Sequence, residues 1–308
     1  MADGDAGGSR RPVSSFKCRL GNWREEVAEY DAACKNFQAK KASGELLVMK
    51  RLTQLNKSLQ PTVISFSADG WVHFGQRVML MNCRTKGVLC TDVSDLIHKP
   101  AGVALGCTTA LNYEQTARNT FEVCRGSEKD QWNSILRYGQ TFRLRLHPAL
   151  CEVRPGERGD CNEWFLHSEA LSPLASSRYS SNQEVVFAAT VSGGTLWKVL
   201  HVDARVRYEH EGQPVPANAA IIIKHVPTDR MLASAKVNYP NSFGSEYEVH
   251  CKSYLMHNKT QNLVAESCGR TTSDIDSKMQ DEENNWVFVT SKTPNVSTCD
   301  TNTGGVAF

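Results

Sequence analysis

A short segment recurs three times in the chain, and this recurrence restricts the possible folds more than any other feature. The copies are HFGQRVMLMNC at 73–83, RYGQTFRLRLH at 137–147 and PVPANAAIIIKH at 214–225. Aligning Gly75, Gly139 and Ala217 stacks Val78 with Phe142 and Ala220, and Leu80 with Leu144 and Ile222, with polar or exposed positions between them in the first two copies. Alternation of this kind predicts a strand with one buried face, entered from a turn. A unit that repeats buries its apolar face against its neighbours.

Each copy continues in the same way. An apolar pair followed by a small hydroxyl residue comes next, in Val88-Leu89-Cys90-Thr91, Phe165-Leu166-His167-Ser168 and Met231-Leu232-Ala233-Ser234. Two copies then carry a Glu-Val strand, Gln183-Glu184-Val185 and Tyr247-Glu248-Val249. All three close on an aromatic strand, Phe121-Glu122-Val123, Trp197-Lys198-Val199 and Trp286-Val287-Phe288. Four strand signals in three copies predict roughly twelve strands. Three such units around a pseudo-three-fold axis close a short barrel capped by hairpins, which leaves no free sheet edge. The expected fold is therefore all-β, a β-trefoil-like domain over 63–292 with repeats at about 63–126, 127–203 and 204–292. Phe121, Trp197 and Trp286 are expected to fill its core.

Ahead of the repeats the periodicity is helical. Val27, Tyr30, Cys34 and Phe37 fall three or four apart, as do Val48, Leu52, Leu55 and Leu59. Ser43-Gly44 marks a break and Pro61 a stop, so residues 16–62 read as a helical arm of two amphipathic helices. Between Phe16 and Gln60 nine Lys and Arg stand against five Asp and Glu, a local charge of +4 in a chain whose net charge is +2. Residues 1–15 and 293–308 read as tails. Insertions at 150–162 in copy two and 252–283 in copy three are long enough to act as contact loops.

Net charge near zero gives no global field for nucleic acid or an anionic membrane. No run approaches the roughly 20 apolar residues of a membrane-spanning helix. MADGDAGGSRRPVSS lacks the apolar segment of a secretory signal, so a cytoplasmic chain is expected. The eleven cysteines form no C-x-x-C pair and read as reduced packing residues. There is no G-x-S-x-G, phosphate loop, H-E-x-x-H or dinucleotide fingerprint. The nine histidines are dispersed, and His147 and His225 take equivalent positions in the alignment above, which suits a structural role. No catalytic residue, metal or cofactor is expected. The alternative is a carbohydrate-binding trefoil, for which Gln76, Gln140 and Asn218 recur, although beside the opening turns they suit turn stabilisation better.

Several strings carry a more specific signal: Gly21-Asn22-Trp23 with Glu26-Val27, Asp69-Gly70 with His73-Phe74-Gly75, Val78-Met79-Leu80-Met81-Asn82, Arg118-Asn119-Thr120-Phe121, Leu136-Arg137-Tyr138-Gly139-Gln140, and Tyr208 through Ala219. Together, in order from residue 21 to about 235, they resemble the cilia- and flagella-associated protein 161 family. The resemblance implies a non-enzymatic axonemal protein of the cilium or flagellum. It implies a microtubule inner protein that binds tubulin and neighbouring inner proteins in the lumen of the doublet A-tubule and stabilises the axoneme for motility, with no nucleic-acid or membrane partner. The expected contacts are Arg19, Lys40, Lys41, Lys50 and Arg51 for acidic partner surfaces, with Trp23 as an aromatic anchor.

Overall fold

The computed structural model describes residues 23–99, 102–127, 134–151, 163–255, 264, 267–268 and 278–291. Arg19, the side chain of Trp23, both expected tails and most of the two insertions lie outside the described residues. The chain divides into two compact units, one ending at Leu52 and the other beginning at Thr53.

The first unit contains α1 (Trp23–Ala42) and the start of α2 (Leu47–Ser58). Glu25 and Glu26 lie in the first turn of α1 and Lys40 and Lys41 in its last, the arrangement that complements the helix dipole. The helix ends in a hydrogen-bonded turn in which the Glu45 backbone N–H donates to the Lys40 carbonyl at 2.9 Å, and the Ser43 hydroxyl donates to the same oxygen at 3.3 Å. Val27, Tyr30 and Phe37, the predicted apolar stripe, are each about half exposed.

The second unit is built from strands. In chain order these are β1 (Arg77–Asn82), β2 (Val88–Lys99), β3 (Gly102–Ala110), β4 (Phe121–Arg125), β5 (Thr141–Leu146), β6 (Phe165–Ser168), β7 (Gln183–Ala188), β8 (Trp197–Leu200), β9 (Ala220–His225), β10 (Leu232–Asn241), β11 (Gly244–Cys251), β12 (Tyr254–Leu255), β13 (Lys278–Met279) and β14 (Asn285–Val289). In β5, Phe142, Leu144 and Leu146 are buried while Thr141, Arg143 and Arg145 are partly exposed, the expected period of two.

Six strands close a ring by antiparallel pairing: β1 with β14, β14 with β9, β9 with β8, β8 with β5, β5 with β4, and β4 with β1. Six of the other eight form hairpins β2–β3, β6–β7 and β10–β11, β3, β7 and β11 pair with one another in a triangle, and β12 pairs with β13 apart from them. The register Leu105 to Phe187, Gln183 to Cys251 and Tyr247 to Thr109 is one pairing used three times. A six-stranded ring capped by three hairpins about a pseudo-three-fold axis is the β-trefoil that the repeats predict.

The expected alignment of copy three is off by one residue. Gly75 and Gly139 have φ of 83° and 82°, and their backbone N–H groups donate to Val123 and Val199. The residue that does this in copy three is Asn218, with φ of 59° and its N–H on Phe288, rather than Ala217. Asparagine adopts the left-handed conformation more readily than other residues with a Cβ, so it replaces glycine here. The inward positions of copy three are then Ile221 and Ile223, both in the core, and Ala220 is exposed. His225 corresponds to Leu146 and Asn82 and not to His147, so the expected histidine recurrence is not present.

The aromatic closing residues fill the core as expected. Phe121, Trp197 and Trp286 are fully buried in one cluster with Leu80, Leu144 and Ile223. The indole N–H of Trp197 donates to the Leu166 carbonyl at 2.8 Å, and that of Trp286 to the Leu232 carbonyl at 2.9 Å. At the closing position of copy one a phenylalanine stands in place of the indole, and Phe121 stacks on Phe187 with ring centroids 5.4 Å apart.

Candidate interaction surfaces

Four of the six expected contact residues have described side chains. Lys40 and Lys41 end α1, and Lys50 and Arg51 lie on the first turns of α2; all four are exposed. Among the described residues none of them engages a carboxylate. The turn at Ser43-Gly44 places them as two cationic pairs flanking a break between helices.

At the capped end of the trefoil the polar side chains are instead committed to one another. Arg118 is buried and forms a paired contact with Glu246, Nη1 to Oε1 at 2.8 Å and Nη2 to Oε2 at 2.9 Å. Its guanidinium carbon lies 3.6 Å from the centroid of Phe243. Burial alone would raise the Glu246 carboxyl, but the Arg118 contacts, with hydrogen bonds from Thr108 and Asn241, outweigh it and hold the group below the usual carboxylate range. Asp92 accepts from the Ser94 and Ser242 backbone N–H groups at 2.8 and 3.0 Å. Glu248 accepts from the backbone N–H groups of Tyr179 and Ser180 at 2.8 and 2.9 Å.

A cavity of about 210 Å³ opens beside these groups, lined in part by Gly106, Arg178, Glu184, Tyr239 and Glu248. Its carboxylates are engaged: Glu184 pairs with Lys99 at 2.7 Å, and Glu248 holds the Tyr179 and Ser180 loop. Neighbouring His250 is buried, with neither ring nitrogen hydrogen-bonded among the described residues, and burial pushes its pKa down to about 4. Among the described residues no group of three His, Cys, Asp or Glu side chains is arranged to hold a metal ion. The eight described cysteines are free thiols, and Cys90, Cys107 and Cys251 are buried.

The acceptors that a sugar site would use are engaged internally. Gln76 Oε1 accepts from the His73 N–H at 3.0 Å, and Gln140 Oε1 from the Arg137 N–H at 3.1 Å. Asn218 does not recur with them: it takes the Gly75 and Gly139 position, and its Oδ1 accepts from the distant Thr290 N–H at 3.1 Å instead of within its turn. Composition and spacing gave no notice of Tyr208, which is 89% exposed on the short α3 (Arg207–His210). The chain after it is fixed: the Gly212 N–H donates to Tyr138 O, the Tyr138 N–H to Gln213 O, and Arg137 Nη1 to Gly212 O at 2.7 Å. The signal that could have found it is its place in the Tyr208–Ala219 string.

A sequence model of the cilia- and flagella-associated protein 161-like domain matches residues 167–263. Cilia- and flagella-associated protein 161 of Bos taurus is 30% identical over 259 residues, covering 78% of this chain and 76% of that protein. The protein of the same name from Danio rerio is 28% identical over 300 residues, covering 91% and 89%. Among solved structures, an SDF2-like protein from Arabidopsis thaliana superposes with a TM-score of 0.48 at 17% identity, over 74% of this chain and 99% of that one.

Proposed function

The chain belongs to the cilia- and flagella-associated protein 161 family, and from that premise we propose that it is a structural component of doublet microtubules, binding tubulin and neighbouring inner proteins on the lumenal side of the A-tubule. A ciliary role comes with the family, and no catalytic family is indicated. The observation that supports the structural reading is a contrast in how charge is used. In the trefoil cap Arg118, Glu246, Asp92 and Glu248 are spent on internal contacts, whereas Lys40, Lys41, Lys50 and Arg51 are exposed and unpaired among the described residues. Exposed cations suit acidic partner surfaces. Weak contacts made from one chain raise effective concentration for each other, so occupancy needs no deep pocket.

The test is a fourfold charge reversal, with Lys40, Lys41, Lys50 and Arg51 each changed to Glu, expressed in cells that build motile cilia. Incorporation into doublets should fall while the purified variant keeps the melting temperature of its trefoil. Unchanged incorporation would remove the arm from the account.

A further inference from the structure

The closing strands meet the opening strands at one repeated register, and the pair of outward residues at its centre is built differently each time. Met81 lies opposite Val287, Arg145 opposite Glu122, and Lys224 opposite Lys198. The first pair is apolar, and Met81 packs against Ile64, Met79 and Val88. The second is an ion pair, with Nη2 2.7 Å from Oε2. The third sets two lysines at directly opposed backbone positions, and like charges directly opposed on neighbouring strands destabilise a sheet. Lys224 is in contact with Asp229 in the following turn, while Lys198 engages no carboxylate among the described residues. Thr141 is the other cross-strand neighbour of Lys198, and Arg143 lies two residues along on the same face. Among the described residues Arg143 donates to neutral oxygens, Thr195 Oγ1 at 3.1 Å and Arg125 O at 3.3 Å.

Four cations thus face outward on β5, β8 and β9; Arg145 is matched by Glu122 and Glu163 and Lys224 by Asp229, which leaves Arg143 and Lys198 without a carboxylate among the described residues, an arrangement that closing the barrel does not require. We propose that the β5–β8–β9 wall, centred on Lys198 and Arg143, is a docking surface for an acidic run of a partner polypeptide. Adjacent strands lie about 5 Å apart, so consecutive Asp or Glu side chains can reach successive cations on an open surface without a pocket. The aromatics of these strands, Phe142 and Trp197, are buried in the core. The wall therefore offers no stacking platform of the kind single-stranded nucleic acid uses. This surface is independent of the arm.

The test uses the full chain, a fluorescein-labelled peptide of ten glutamates and anisotropy titration. Lys198→Glu turns the like-charged pair into the ion pair already present at Glu122 and Arg145, so its melting temperature should hold or rise while peptide affinity falls at least tenfold. Arg143→Gln should weaken binding several-fold, and added salt should weaken binding to the wild type. The inference is overturned if Lys198→Glu binds as tightly as the wild type, or if it melts earlier. It is also overturned if the fourfold arm variant loses the peptide while Lys198→Glu keeps it, or if a DNA oligonucleotide displaces the peptide at lower concentration than unlabelled peptide does.

Discussion

Arg118 in copy one and Glu246 in copy three are 128 residues apart in sequence and share two parallel hydrogen bonds inside the trefoil cap. Each charge is buried, so removing one partner strands the other. Glu246→Ala should lower stability by about 3–5 kcal/mol, whereas Arg118→Met combined with Glu246→Leu should cost much less because no charge is left unpaired. Urea unfolding of the three proteins measures this. A single-variant loss below about 1 kcal/mol would contradict the pairing.

The buried histidines set the response to acid. His250 titrates near 4 in the fold against 6.5 for an ordinary histidine, and burial also lowers His147, His167 and His225. Between those two values the unfolded chain binds a proton that folded His250 refuses. Its contribution is therefore complete above about pH 6.5 and is lost as the pH falls towards 4, a change on the order of 3 kcal/mol. Glu246 acts in the same direction at lower pH, because its folded pKa is depressed. Unfolding free energy measured from pH 7 to pH 4 should fall steeply, and His250→Leu should flatten the slope.

Trp197 and Trp286 serve as packing and as hydrogen-bond donors to a neighbouring strand of their own copy. Trp197→Ala should cost about 3–5 kcal/mol through the cavity it leaves. Trp197→Phe should cost about 1–2 kcal/mol, from lost volume and the Leu166 carbonyl deprived of its indole donor. Calorimetry of both variants should rank them in that order.

Gly75 has open space where a Cβ would sit, so a substitution there tests the backbone alone. Gly75→Ala should cost about 1–2 kcal/mol from the left-handed conformation. Gly75→Asn, the residue that copy three uses at this turn, should cost less. Equal losses in thermal unfolding would argue against the equivalence of Gly75 and Asn218.

Much of this fold was legible in the chain because the inward positions of copy two alternate strictly, because copy one shares its Gly-Gln turn even though Val78, Met79 and Leu80 are all buried, and because a buried aromatic closes every copy. Copy three was misread by one residue for two physical reasons. Asn218 supplies the positive φ that glycine supplies elsewhere, and Ile222, which points outward, is buried too, so the run Ile221-Ile222-Ile223 conceals its parity. The arm cations were legible because exposed charge needs no partner. The Arg118–Glu246 pair and the Lys198–Lys224 opposition were not, since each exists only once strands distant in sequence are in register.

Washing demembranated cilia with high salt, and then dissolving the tubules, tests the proposed lumenal role most directly. A protein bound inside the A-tubule should stay with the doublets through the salt wash and appear in solution only when the tubulin wall is disassembled. Release by detergent or salt while the doublets remain intact would contradict it.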